Sequence, residues 1–196
     1  MLWKGRFDWL SKQKSSKNER NLYKMNKPSQ WVLNVLKNVE AGNELIDIAC
    51  GKGRHVFALK DRFNITAVDY DKKALSLLSK IDNIKTIYQD LESKEEWVFS
   101  SNKYKIVLVT NYLYREKLNN LFDLVDEGGF IVYETFSDGN QKYGKPSNPN
   151  FLLKMDELMD RKPKNFKTID YFCGKVEVPK ISIIQRLAAK KIDLKK

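Results

Sequence analysis

Between residues 44 and 136, apolar runs of strand length alternate with stretches of helical periodicity, and this alternation constrains the fold more than any other feature. ELIDIAC (44–50) leads through a glycine-containing turn into a helical stretch, HVFALKDRF. NITAVDY (64–70) is followed by DKKALSLLSKI, a helix with Asp71 as its expected N-cap. IKTIYQD (84–90) precedes a helical or irregular stretch around Trp97. YKIVLVTNY (104–112) is rich in β-branched residues; LYREKLNNLFDLVDEG then reads as a helix closed by Gly128-Gly129, and FIVYETF (130–136) as another strand. Strands separated by helices predict βαβ units, hence an α/β fold with a parallel sheet and helices on both faces. The rhythm then breaks. SDGNQKYGKPSNPN (137–150) is a long polar loop and FLLKMDELMD a short helix. FKTIDYF (166–172) and ISIIQRLAA (181–189) have no crossover between them and are expected to pair as an antiparallel terminal hairpin.

Upstream, a helix is expected from Pro28, capped by Ser29, with Trp31, Val32, Val35, Leu36 and Val39 at helical spacing, ending at Ala41-Gly42-Asn43. Residues 1–27 read as a basic N-terminal arm and 28–196 as one domain, the size a single core supports. The aromatics Trp3, Trp9, Tyr23 and Trp31 can serve as a lid or simply cover the sheet. The net charge of +11 is confined to the ends. Residues 1–30 carry eight Lys/Arg against two acids, 161–196 eleven against three, and the middle 17 against 20. Lys outnumbers Arg 29 to 7, which looks more like compositional bias than a phosphate-binding face. No run approaches the ~20 apolar residues of a membrane span, and no secretory signal is recognised. Cys50 and Cys173 form no disulfide framework or metal-ligand cluster, so buried inert thiols, no metal and a cytoplasmic setting are expected.

The chemistry gathers at DIACGKGRH (47–55). Glycines 51 and 53 let the chain turn tightly at a helix start, where a ligand can reach backbone N–H groups. No G-x-x-x-x-G-K-[ST] is present, and a dinucleotide fingerprint would need glycine where Val56 stands. Asp47, on the strand before the turn, repels a pyrophosphate but suits an ammonium group. Asp69 ends the next strand, where a carboxylate can accept from two ribose hydroxyls, and Asp90 ends the third, placed to meet an adenine amino group.

ELIDIACGKGRHVFALK, ITAVDYDKKAL, IYQDLES, YKIVLVTNYLYRE and EGGFIVYETF together resemble the successive motifs of class I S-adenosylmethionine-dependent methyltransferases. The glycine turn is similar to that of small bacterial tellurite-resistance and thiopurine-type enzymes. The resemblance implies a Rossmann-like, seven-stranded, mostly parallel sheet with helices on both faces and a C-terminal antiparallel hairpin. It also implies S-adenosylmethionine as cofactor and S-adenosylhomocysteine as product. Carried over, Ala49, Gly51 and Gly53 hold the methionine part, with Asp47 at its ammonium. Asp69 takes the ribose and Asp90 the adenine, Tyr70 can pack on the adenine face, and Cys50, Arg54, Leu91 and Asn111 join the cofactor-binding set.

The sulfonium already activates the methyl group, so alignment and exclusion of water are the main demands, and a base is needed only for a protonated acceptor. Asn111, Tyr112, Tyr114, Arg115 and Glu134, over the strand-four edge and strand five, are the catalytic candidates; each also has a plain structural reading. NYLYR departs from the Asp/Asn-Pro-Pro-Tyr signature of enzymes that methylate nucleic-acid amino groups, and Arg115 leans toward a small anionic acceptor. His55 is expected neutral at its helix start. Asn140, Tyr143 and Asn148 in the long loop are recognition candidates. The alternatives are RNA or protein methylation with the basic ends steering the partner, and a non-catalytic cofactor-binding protein. A nicotinamide-dependent oxidoreductase is disfavoured by Val56 and the antiparallel end.

Overall fold

The computed structural model describes residues 27–193. Helix α1 (Gln30–Leu36) starts where Ser29 caps the Val32 N–H, as expected. There follow β1 (Glu44–Ile48), α2 (Arg54–Leu59), β2 (Asn64–Asp69), α3 (Lys72–Leu78) and β3 (Ile84–Tyr88), then β4 (Tyr104–Thr110) and α4 (Leu118–Asp123). The chain closes with β5 (Val125–Phe136), α5 (Glu157–Arg161), β6 (Phe166–Val176) and β7 (Ser182–Lys191). Asp71 caps α3 by accepting from Lys73 N–H and Ala74 N–H. α2 stops at Leu59, short of its expected reach, and beyond it Arg62 donates to the carbonyls of Leu36, Lys37 and Val39 at and after the end of α1.

One seven-stranded sheet has the order β3-β2-β1-β4-β5-β7-β6. β1 to β5 pair in parallel; β7 inserts antiparallel between β5 and β6, so the terminal hairpin forms as expected. Alternate residues face two cores. Leu45, Ala67, Leu108 and Val132 meet Val32, Leu36, Val56, Leu59 and Leu78 of α1 to α3. Ile46, Ile48, Val107, Val109 and Tyr133 meet Leu118, Leu121, Phe122 and Leu158 on the other side. Each buried Val, Leu, Ile or Phe side chain among them stabilises the fold by roughly 1.5–3 kcal/mol. β1 and β4 are neighbours whose crossovers run in opposite directions, which opens a crevice at their carboxyl ends.

Two expectations need correction. Gly128-Gly129 does not close a helix; it lies inside β5, where the β4 pairing shifts register. A Cβ on Gly129 would meet the Lys105 carbonyl at 2.8 Å, so glycine is required by close strand approach rather than by a helix cap. FLLKMDELMD is helical only over Glu157–Arg161. Leu153 instead bridges to Ser137, and Asp156 at φ 58° interrupts any earlier helix. The stretch around Trp97 is irregular, with the indole buried and donating to the Leu91 carbonyl at 3.1 Å. Among the described residues no helix is long and apolar enough to cross a membrane.

Candidate functional site

The glycine turn stands on the crevice, and its shape needs left-handed backbone at Ala49 (φ 55°), Gly51 (φ 54°) and Gly53 (φ 76°). At Gly53 a Cβ would also lie 2.5 Å from the Leu78 side chain, so glycine is needed there on two counts. Asp69 organises the turn. Its Oδ2 accepts the Gly51 N–H at 2.7 Å and its Oδ1 the Asp71 N–H at 2.9 Å. Beside it opens a cleft of about 350 Å³ lined by Ala49, Asp69, Tyr70, Tyr88, Asp90, Leu91, Glu92 and Tyr112. Asp90 Oδ1 accepts the Glu92 N–H, and Tyr70 is exposed beside the opening. Cys50 turns its side chain into the core below, where burial pushes the thiol up from its ordinary value; only its backbone belongs to the turn. Cys173 is half-buried rather than buried, and both thiols are free.

Behind the turn, both carboxylate oxygens of Asp47 and the Nη2 of Arg54 are buried without hydrogen-bond partners. Burial raises Asp47 to about 7, with the Asp69 charge adding and Arg54 opposing. Burial likewise pulls Arg54 below its ordinary value, while Glu134 and Asp47 hold it up. His55 is buried, and its Nε2 accepts the Ser29 N–H at 3.1 Å, so Nδ1 carries the proton toward Thr110 Oγ1 at 3.4 Å. Burial lowers its pKa to about 3, and the neutral helix-start role expected of it holds.

On β5, Glu134 Oε2 accepts from Arg186 Nε at 2.6 Å and from Ser29 Oγ at 3.1 Å. Asn111, at φ 55°, donates its N–H to the Glu134 carbonyl at 2.8 Å. Tyr112 lines the cleft with a buried, unpartnered hydroxyl, and burial raises its phenol so that it stays protonated.

No protein-family profile and no curated protein matches this sequence. Solved structures do. TehB from Haemophilus influenzae superposes with a TM-score of 0.65 at 17% identity over 82% of this chain. The chain spans only 61% of TehB. The N-methyltransferase NodS from Bradyrhizobium japonicum gives 0.63 at 11% identity, covering 89% of this chain and 97% of its own. The [4+2]-cyclase SpnF gives 0.63 at 10%, covering 83% and 80%. The fold is that of the class I S-adenosylmethionine-dependent methyltransferases.

On the methyltransferase fold, Asp47, Arg54, Asp69 and the glycine turn converge, and Asp90, Leu91 and Tyr70 line the adjoining cleft. Arg115 does not join them. Its Nε and Nη2 grip Glu157 at 2.9 Å each, and Nη1 and Nη2 hold the carbonyls of Asn150 and Leu152. It fastens the chain leading into α5 and is not free for an acceptor. Tyr114 donates to Glu116. Asn140 is buried and clamps the loop, donating to the Pro146 carbonyl and accepting the Ile183 N–H. Asn148 caps a 3-10 turn; Tyr143 remains exposed, near Lys175. Trp31 is held by its Nε1–H to Asp170 at 2.6 Å, at the face of β6 and β7, whereas Trp3, Trp9 and Tyr23 lie outside the described residues.

Thr110 and Arg186 were not singled out in the sequence, and Ser29 was expected only as a helix cap, not as a partner of His55 and Glu134. Glu134 and Arg186 are register partners of β5 and β7, and an antiparallel pairing aligned to the residue is the signal that would have found Arg186.

Proposed function

We propose that the protein transfers a methyl group from S-adenosylmethionine to a small-molecule acceptor, releasing S-adenosylhomocysteine. The carrying observation is the buried, unpartnered Asp47 carboxylate behind the glycine turn, with the buried, unpartnered Nη2 of half-buried Arg54 beside it. A fold keeps such groups at considerable expense unless a ligand completes them. The amino-acid end of the cofactor offers one ammonium for Asp47 and one carboxylate for Arg54. Asp69 retains lone pairs for ribose hydroxyls, and Asp90 with Leu91 faces the adenine, beside Tyr70.

When bound, the cofactor supplies a methyl group already activated by its sulfonium. The chain then has to orient an acceptor and exclude water. Tyr112 lines the cleft, with a phenol that is a hydrogen-bond donor at neutral pH, and Asn111 is joined to β5 through the Glu134 carbonyl. Both His55 nitrogens are engaged and Glu134 is tied to Arg186 and Ser29, so neither is free to act as a general base. The free thiols Cys50 and Cys173 suit a reducing, cytoplasmic compartment.

Calorimetric titration tests the reading: S-adenosylhomocysteine should give saturable heat, while NAD and ATP should not. Binding of NAD in its place overturns it. Because the same fold occurs in the cyclase SpnF, transfer needs its own assay, radiolabelled methyl incorporation against a metabolite extract. Cofactor binding with no incorporation favours the non-catalytic reading.

A further inference from the structure

Arg115 and Arg186 lie on either side of β5, and they differ in what they leave free. Every nitrogen of Arg115 has a partner. Arg186 uses only Nε, on Glu134; its two terminal nitrogens, with four N–H donors, bond to no other described residue. Its guanidinium carbon lies 5.5 Å from the Trp31 ring and 5.9 Å from the Phe172 ring. Trp31 is pinned by Asp170, while Phe172 is left 36% exposed. The surrounding rim repeats the cation-and-ring theme, with Lys175 near Tyr143 and Lys180 near Phe136. Ser137 N–H to the Ile183 carbonyl, and Ile183 N–H to Asn140, pack the loop after β5 against the hairpin that carries these lysines.

We propose that Arg186 anchors the methyl acceptor, and that the acceptor is a small planar anion seated against Trp31 and Phe172. This rests on the methyltransferase reading and names its second substrate class. The terminal nitrogens of Arg186 present a fork that suits a carboxylate, and the two rings suit a flat body. The lone pair of the acceptor atom forms the new bond to the methyl carbon. The carbon–sulfur bond breaks with its electron pair staying on sulfur, and an unprotonated acceptor atom releases no proton.

The test uses the full chain labelled with 5-fluorotryptophan, the Trp31 resonance being assigned through Trp31→Phe. Salicylate and its neutral analogue salicylamide are titrated with S-adenosylhomocysteine at saturation. Salicylate should shift Trp31 saturably and bind about tenfold or more tighter than salicylamide. Arg186→Met should remove that preference, and Arg186→Lys, which keeps a cation beside Glu134, should retain part of it. Cofactor-product affinity should stay within about twofold in both variants. Equal binding of the two probes, or salicylate binding unaltered in Arg186→Met, overturns the proposal. So does a loss of S-adenosylhomocysteine affinity in both folded variants, which makes Arg186 a cofactor residue. Failure of the parent chain to bind S-adenosylhomocysteine defeats the methyltransferase reading instead, and the salicylate titration without it still decides the anchor.

Discussion

The carboxyl edge of the sheet has two halves built in opposite ways. At the ends of β2 and β3 the acids are held at shorter range, Asp69 by the N–H groups of Asp71 and of Gly51 18 residues away, and Asp90 by that of Glu92. On β5 and β7 the polar groups are joined across the chain. Glu134 meets Arg186 at a separation of 52 residues and Ser29 at 105. Local bonds make the first half a motif that can be read in a line. The second half exists only after β7 has inserted beside β5. Substitutions in the two halves should therefore fail differently, the first at cofactor binding and the second at the acceptor.

The largest expected effect is the pH-dependent one at Asp47. Its folded pKa, about 7, stands above the ordinary 3.8, so ionising it opposes folding. Stability is full below the unfolded value and declines as pH rises from about 4 to 7, by on the order of 4 kcal/mol in total. Asp47→Asn removes this slope. In thermal melts without ligand, the variant should gain on the parent as pH rises from 5 to 8; a constant difference breaks the assignment.

Next comes Arg115→Ala, which leaves the buried Glu157 carboxylate without its main partner. Hydrogen bonds and charge from Arg115 hold Glu157 below the usual carboxylate range despite its burial. With Arg115 partly exposed, the expected loss is about 1–3 kcal/mol in denaturant unfolding, with cofactor-product affinity unchanged. A loss of affinity at constant stability would return Arg115 to the site. Gly53→Ala, with its Leu78 overlap and left-handed backbone, should cost about 1–3 kcal/mol and also weaken S-adenosylhomocysteine, since it moves the turn itself. Tyr114→Phe removes only a bond to Glu116 and should change stability by less than about 0.5 kcal/mol and binding not at all.

How much was legible follows from the same division. Apolar runs of strand length marked the strands, and Ser29 and Asp71 announced their helices, because caps act within three residues. Asp47, Asp69 and Asp90 were readable because each stands at or near a strand end. Gly128-Gly129 misled because a glycine pair after a helical stretch signals a cap, whereas here the constraint is the Lys105 carbonyl on the neighbouring strand. Arg115 misled because its partners, Asn150, Leu152 and Glu157, come from a segment that folds back only when Leu153 reaches Ser137. Arg186 was invisible because nothing beside it in the sequence shows that Glu134 is its neighbour.

The central claim is that the buried, unpartnered Asp47 carboxylate and the unpartnered Arg54 Nη2 receive the two charges of the cofactor's amino-acid end. The most direct measurement is S-adenosylhomocysteine affinity by calorimetry from pH 5.5 to 8, in the parent and in Asp47→Asn. If Asp47 must be ionised to receive an ammonium, affinity in the parent should rise through about pH 7 and level off above it, and Asp47→Asn should bind weakly and without that rise. Tight binding by Asp47→Asn with a flat profile in both proteins would contradict the claim.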